Sequence, residues 1–456
     1  MWRSRWLPGS VALGLVLAAT QEVDAVPSFS RQTGMTCNQC HVSFGGPVPN
    51  FTFTGKKFRM NGYRMPFVAD KLEAGEPGAP DGKRLSIPLI PYLSFRYQSV
   101  FASQSKAPGA EEAGPITSNP TNRLAIFPGG ALGDNFGLWI ELYLTPDGTP
   151  NRDWGFGAFS FDEYDLRLVK ITDNSTLGLS FSNQSIREIS GFGPWPTIGS
   201  NLTRGGFGGW SHPNRGNFFA YGWFADRLLA TIGASPGEDN LDWDERNYQG
   251  QLAYALLNSD ENEAWVNVMA QFGNDGIPII TNTTPATNRT WTYRDIADGI
   301  SALRTGTNAN KPYMYSDVGD YFRVEPEVRY GFIDRGPHSM EVMARLVFAN
   351  ETYADNAEAK QSAFGTAVRY MFDRTWGGDL MLFRNNSFTY TDPSGAEHDI
   401  KTSPSWTAYL KYQPAMNFIL NLSFGNVGQT LLQSPGAPTV QLQKGWSWSL
   451  SSDILF

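Results

Sequence analysis

The stretch Lys444–Phe456 reads KGWSWSLSSDILF. Trp446, Trp448, Leu450, Ser452, Ile454 and Phe456 fall on one face of an extended chain. Ser447, Ser449, Ser451 and Asp453 fall on the other, with Leu455 the single exception. A period of two is the mark of a β-strand, because successive side chains point to opposite sides of the sheet. An aromatic-rich face opposite a serine-rich face suits a strand with hydrocarbon on one side and water on the other.

The same rule extends upstream. Phe322, Val324, Val328, Tyr330 and Phe332 share a face, and Arg323, Glu325, Glu327 and Arg329 share its opposite. Val342, Ala344, Leu346 and Phe348 alternate with Glu341, Met343 and Arg345, and Leu138, Ile140, Leu142 and Leu144 form a further apolar row. About sixteen such segments run from near residue 86 to residue 456. Their connections alternate between tight turns, as at Asp173-Asn174, Asp226-Arg227 and Pro414, and long loops such as 185–216, 275–318 and 427–443. A soluble sandwich would bury the apolar face in a core. Alternating turn and loop lengths favour the inverse arrangement, an all-β transmembrane antiparallel barrel with lipid outside and a charged lumen inside. Closure removes the sheet edges that a bilayer does not tolerate.

Composition agrees. Of 456 residues 18% are charged and 14% aromatic, with a mean hydropathy of −0.33, and no apolar run reaches the length of a membrane helix. One lipid face and one polar lumen face average to that value. The net charge of −8 argues against nucleic acid as a partner. Two cysteines exclude a disulfide scaffold.

The N-terminus reads as an export signal over residues 1–25, with Arg3 and Arg5 before the apolar Val11–Ala19 and small residues at 23–25. Beyond it lies Cys37-Asn38-Gln39-Cys40-His41, the CxxCH pattern of c-type haem attachment. Two thiols one short turn apart reach the two vinyl groups of one porphyrin, and the next residue, His41, supplies the proximal imidazole. A redox dithiol would expect a βαβ context; here the flanks are Gly, Pro and Thr. Met60 and Met65 are the candidate distal ligands, and Arg31 the candidate partner of a haem propionate. A haem segment over 26–67 is too short to fold well alone. The Gly- and Pro-rich stretch 68–85 reads as a linker, so the segment is expected to fill or cap the lumen of the barrel over 86–456.

Pro27, Phe29, Arg31, Gln32, Thr33, Gly34, Cys37, Cys40, His41, Gly55, Phe58, Gly62 and Tyr63 together resemble the N-terminal pattern of outer-membrane monohaem cytochrome c–porin fusions of iron-oxidising bacteria. Ser30 replaces the usual Ala and Arg59 the usual Lys, and the stretch between His41 and Phe53 departs from the pattern. The close match covers about 40 residues; the barrel matches in size and architecture only. The resemblance implies one covalent c-type haem and a location in the Gram-negative outer membrane with long loops extracellular. It implies oxidation of extracellular Fe(II), with the electron delivered to a periplasmic cytochrome or copper protein. Hard cations prefer carboxylate oxygen, and Glu238, Asp239, Asp242, Asp244 and Glu245 form the densest acidic cluster, either a solvated loop or a candidate approach site for Fe(II). Two alternatives stand beside this: a porin-like channel whose haem is structural, and a conduit exporting electrons to an extracellular acceptor.

Overall fold

The computed structural model describes residues 40–43, 50–65, 93–107, 110–144, 159–192, 216–236, 246–259, 261–273, 318–335, 337–353, 358–391, 394–415, 418–427, 430–433 and 444–455, with Phe29, Thr33 and Met35. Near the N-terminus β1 (His41–Ser43) pairs antiparallel with β2 (Asn50–Phe51), and α1 (Phe53–Met60) follows. Then come β3 (Leu93–Lys106), β4 (Thr117–Leu132), β5 (Phe136–Leu144), β6 (Phe159–Ile171) and β7 (Ser175–Ser182). A short α2 (Ile186–Ile189) precedes β8 (Asn217–Phe224), β9 (Leu228–Pro236), β10 (Arg246–Asn258) and β11 (Asn262–Gly273). The chain continues through β12 (Val318–Arg335), β13 (His338–Tyr353), β14 (Glu358–Phe372), β15 (Trp376–Thr391), β16 (Glu397–Thr402), β17 (Ser405–Ala415), β18 (Phe418–Val427), β19 (Thr430–Gln433) and β20 (Gly445–Leu455).

Each barrel strand pairs antiparallel with its neighbour, and β20 returns to pair with β3, closing the ring. Sixteen strands make the wall. The expected count therefore holds. The remaining two, β16 and β19, pair with each other where unbroken loops were expected. They extend β15 past the point where β15 turns to pair with β17. Neither EHDIKT nor TLLQ has the apolar alternation of a membrane strand, so periodicity did not distinguish them from loop.

Side-chain placement follows the sequence rule. Val328 is 54% exposed on the outer face, while its neighbours Glu327 and Arg329 are each 2% exposed on the inner face. Phe322, Leu346, Phe348, Leu380, Leu382 and Leu422 are likewise exposed outward, and Glu325, Glu341, Arg345, Arg369, Asp379 and Lys411 are buried inward. No described helix is long and apolar enough to cross a membrane; the strands do so. A closed antiparallel barrel with an apolar outer band and a charged interior is an outer-membrane protein. Between consecutive strands of the sixteen-stranded wall, seven links are turns of three residues or fewer, including Ala225–Arg227 and Asp373–Thr375. They share one rim, where β3 begins and β20 ends. Short turns mark the periplasmic side in such barrels.

Candidate functional site

The lumen of a sixteen-stranded barrel is wide enough for water. Here two elements occupy it. Helix α1 starts because the Thr52 hydroxyl caps it, accepting from the Gly55 amide at 3.1 Å. It ends at Asn61, where Gly62 takes φ +69 and Tyr63 φ +61. Glycine adopts that conformation freely, whereas Tyr63 is strained there by about 1–2 kcal/mol. Its hydroxyl donates to Asp165 of β6 at 2.6 Å, which holds it in place.

Charge pairs bind α1 to the wall. Lys56 Nζ lies 2.8 Å from Glu263 of β11, with both side chains fully buried. Burial pushes Lys56 below its ordinary pKa, and Glu263 opposes that shift. Lys57 pairs at 2.8 Å with Asp226, in the β8–β9 turn of the periplasmic rim. Arg59 sits 3.6 Å from Asp165 and donates to Gln184. Arg167 donates to the Arg59 carbonyl at 2.8 Å, and Tyr221 to that of Met60 at 2.9 Å.

The second element is α2. Its capping box, Ser185 with Glu188, turns the chain after β7 into the lumen. The segment 185–216 was expected to be a long loop; its first residues instead form α2 within the lumen. Arg187 pairs with Glu327 of β12 at 2.6 Å, and Arg329 donates to the Phe192 carbonyl at 3.0 Å. Phe192 then lies under Lys56, with the ammonium 5.5 Å from its ring, so α2 leads directly onto α1. Glu327 also meets Arg345 at 3.2 Å, and Arg345 meets Glu325 at the same distance.

The CxxCH end is seated on α1. The Thr52 amide donates to the Cys40 carbonyl at 3.0 Å. A Cβ on Gly55 would lie 2.1 Å from that carbonyl oxygen, so only glycine lets the turn approach. The His41 ring packs against Phe51, 4.9 Å between centroids. Burial, assisted by Arg369 and Arg59, lowers the His41 pKa to about 4. Its imidazole is therefore neutral near pH 7, the form that ligates a metal. A thiol-bearing Cys40 beside a neutral imidazole, enclosed by aromatic rings and guanidinium groups, fits a covalent haem with anionic propionates.

The predicted site residues part company here. Met60 is fully buried, with its sulfur 3.6 Å from Arg167 Nη1, in a cluster with Phe53, Tyr221, Trp223 and Trp265. Met65 packs separately with Phe58, Tyr63, Phe29, Met35 and Trp139. Phe29 stacks on Tyr63 at 5.4 Å and meets Phe58 edge-on at 5.0 Å. Phe29, Gly55, Phe58 and Tyr63 of the motif thus make contacts within the plug, while Gly62 lies against Gly137 and Val169 of the wall. Cys37, Arg31 and the acidic cluster Glu238, Asp239, Asp242, Asp244 and Glu245 lie outside the described residues. His338 lies on the outer face, 2.6 Å from the Tyr370 hydroxyl, and His398 lies on β16. Among the described residues no group of three or more His, Cys, Asp or Glu side chains is arranged for a metal ion. Sequence reasoning missed Lys56, Arg59, Arg187 and their wall partners.

No protein-family model and no curated protein sequence matches the chain. Solved outer-membrane barrels are similar in outline. OmpT of Vibrio cholerae is 13% identical over 80% of this chain and 96% of its own, with a TM-score of 0.44. An anion-selective porin from Comamonas acidovorans is 11% identical over 80% of this chain and 98% of its own, TM-score 0.43. Salmonella typhi OmpF is 9% identical over 80% of this chain and 97% of its own, TM-score 0.44. The porin-like character of this chain stands on its own strand pairing, sixteen strands closed around a polar interior.

Proposed function

We propose that the protein is an outer-membrane electron-transfer cytochrome that oxidises extracellular Fe(II) and delivers the electron to a periplasmic carrier, a cytochrome or a copper protein. The observation that carries this reading is the seating of Cys40 and His41 inside the barrel, on a helix ion-paired to the wall through Lys56 and Glu263. A c-type haem joined to Cys37 and Cys40, when bound, supplies a one-electron iron centre. The resemblance of the N-terminal motif to cytochrome–porin fusions supports the same reading.

The chain's own residues would do the rest. His41 presents a neutral imidazole, and Arg59 and Arg369 place positive charge beside it. Helices α1 and α2 lie in the lumen, and on this reading iron need not travel through it. Keeping oxidation outside suits the substrate, because the Fe(III) product precipitates near neutral pH. The acidic loop 238–245 is the proposed approach site for Fe(II), and the rim bearing Asp226 and Lys57 faces the carrier.

The sixteen-strand barrel by itself favours a second reading, a porin-like channel in which haem is structural. Two measurements separate them. Anaerobic Fe(II) added to the purified haem-loaded protein should reduce the haem absorption band, and bilayer conductance should be near zero. Conductance of porin size with no reduction at any pH between 3 and 7 would establish the channel instead. A haem that is reduced by periplasmic carriers and reoxidised by an extracellular acceptor would reverse the direction and make the protein an electron exporter.

A further inference from the structure

A water-filled lumen calls for polar lining, yet the inner wall carries apolar patches, of which two are the largest. One, around Trp223 and Trp265, is covered by Phe53 and Met60 of α1. The other is built from Met343, Val347, Ala363, Ala367, Met381 and Phe383 on β13, β14 and β15. Its register is specific. Met343 pairs with Ala367 and Ala367 with Met381, so two thioethers flank one small residue in a single transverse row. The next row is Glu341, Arg369 and Asp379, with Arg369 Nε 2.9 Å from Asp379 Oδ1. The element beside this wall is β1, the strand that opens with His41. The CxxCH end of the plug thus faces the second patch as α1 faces the first.

We propose that the β13–β15 patch receives the distal face of a haem carried by Cys37, Cys40 and His41, and that Met343 or Met381 supplies the sulfur opposite His41. The proposal rests on the haem reading above. It places the sixth ligand on the barrel wall. Met60 already has its sulfur at Arg167, and Met65 is enclosed among Phe58, Tyr63, Phe29, Met35 and Trp139. A thioether ligand raises the potential of a haem above that of a bis-histidine centre, which suits a weak reductant as donor. Plug and barrel would then share one cofactor, and neither would hold it fully alone.

The test uses the full-length haem-loaded protein and the variants M343L, M381L and M343L/M381L, in which leucine nearly conserves volume. Intact mass first establishes covalent haem in each. The ferric methionine–iron charge-transfer band is expected in the parent protein and in M60L and M65L. It should be lost in one of the single wall variants and in the double variant, whose haem should have a lower potential and bind added imidazole that the parent excludes. Persistence of the band in M343L/M381L overturns the proposal. So does its loss in M60L or M65L, or its absence from the parent. Chains that carry no covalent haem by mass would overturn the functional reading itself, an outcome distinct from a spectroscopic failure.

Discussion

Lys56 and Glu263 are 207 residues apart in sequence and 2.8 Å apart in the lumen. Breaking a buried pair by removing one partner strands a charge and costs about 3–5 kcal/mol, while replacing both by apolar groups is near neutral. K56M or E263Q should therefore release the plug, read as protease cleavage within residues 50–65, and K56M/E263M should restore most of the protection. Glu263 also accepts from Trp265 Nε1 at 3.1 Å, so Trp265 fluorescence should report the release. A second substitution isolates the seat of the CxxCH turn. G55V puts a branched side chain where the Cys40 carbonyl sits, and the yield of covalent haem should fall at least several-fold while the barrel still forms. The motif residues were legible because their chemistry is local: a spacing of cysteines, a glycine, a histidine. The Lys56–Glu263 pair was not, because no local pattern says which inward carboxylate a plug lysine will meet.

At the scale of elements, alternation placed the membrane strands closely. The alternating rows Phe322–Phe332 and Val342–Phe348 lie within β12, Val318–Arg335, and β13, His338–Tyr353. Lipid on one face imposes a period that composition cannot hide. Strands β16 and β19 are free of that constraint and left no such trace, and α2 was hidden inside a loop whose inward turn depends on Arg187 finding Glu327. V328R and L382R, which place a cation on the outer face, should each cost about 2–4 kcal/mol if near the bilayer midplane, measured by urea unfolding in lipid vesicles. R187M should be milder, about 1.5–3 kcal/mol, because Glu327 keeps Arg345 at 3.2 Å. Its expected readout is higher conductance in a barrel whose plug has been released by K56M.

The whole molecule is held by one seam. Strand β20 meets β3 there, and Asp453 binds Arg96 Nε at 2.9 Å and Gln98 Nε2 at 3.0 Å. D453A should leave Arg96 without this partner and cost about 3 kcal/mol. The barrel should then lose its compact, detergent-resistant electrophoretic form at a lower temperature, with the strand content of the remaining folded fraction unchanged. Closure was legible from the first and last strands, since an unpaired apolar edge has no place in a bilayer; the residues that fasten it came only with the register.

The seam also dates the plug. Residues 50–65 lie inside a ring that closes when β20 pairs with β3. A large group cannot pass through a completed wall to reach Cys40, and the lumen it would have to enter already holds α1 and α2. On the proposed haem reading, maturation is ordered in time. Thioether formation would belong to the period when the N-terminal segment is still open to the periplasm, and zipping of β20 to β3 would end that period. A chain that closed first would become a well-formed barrel barred from a haem, so the rate of attachment relative to insertion would set the fraction of haem-loaded molecules.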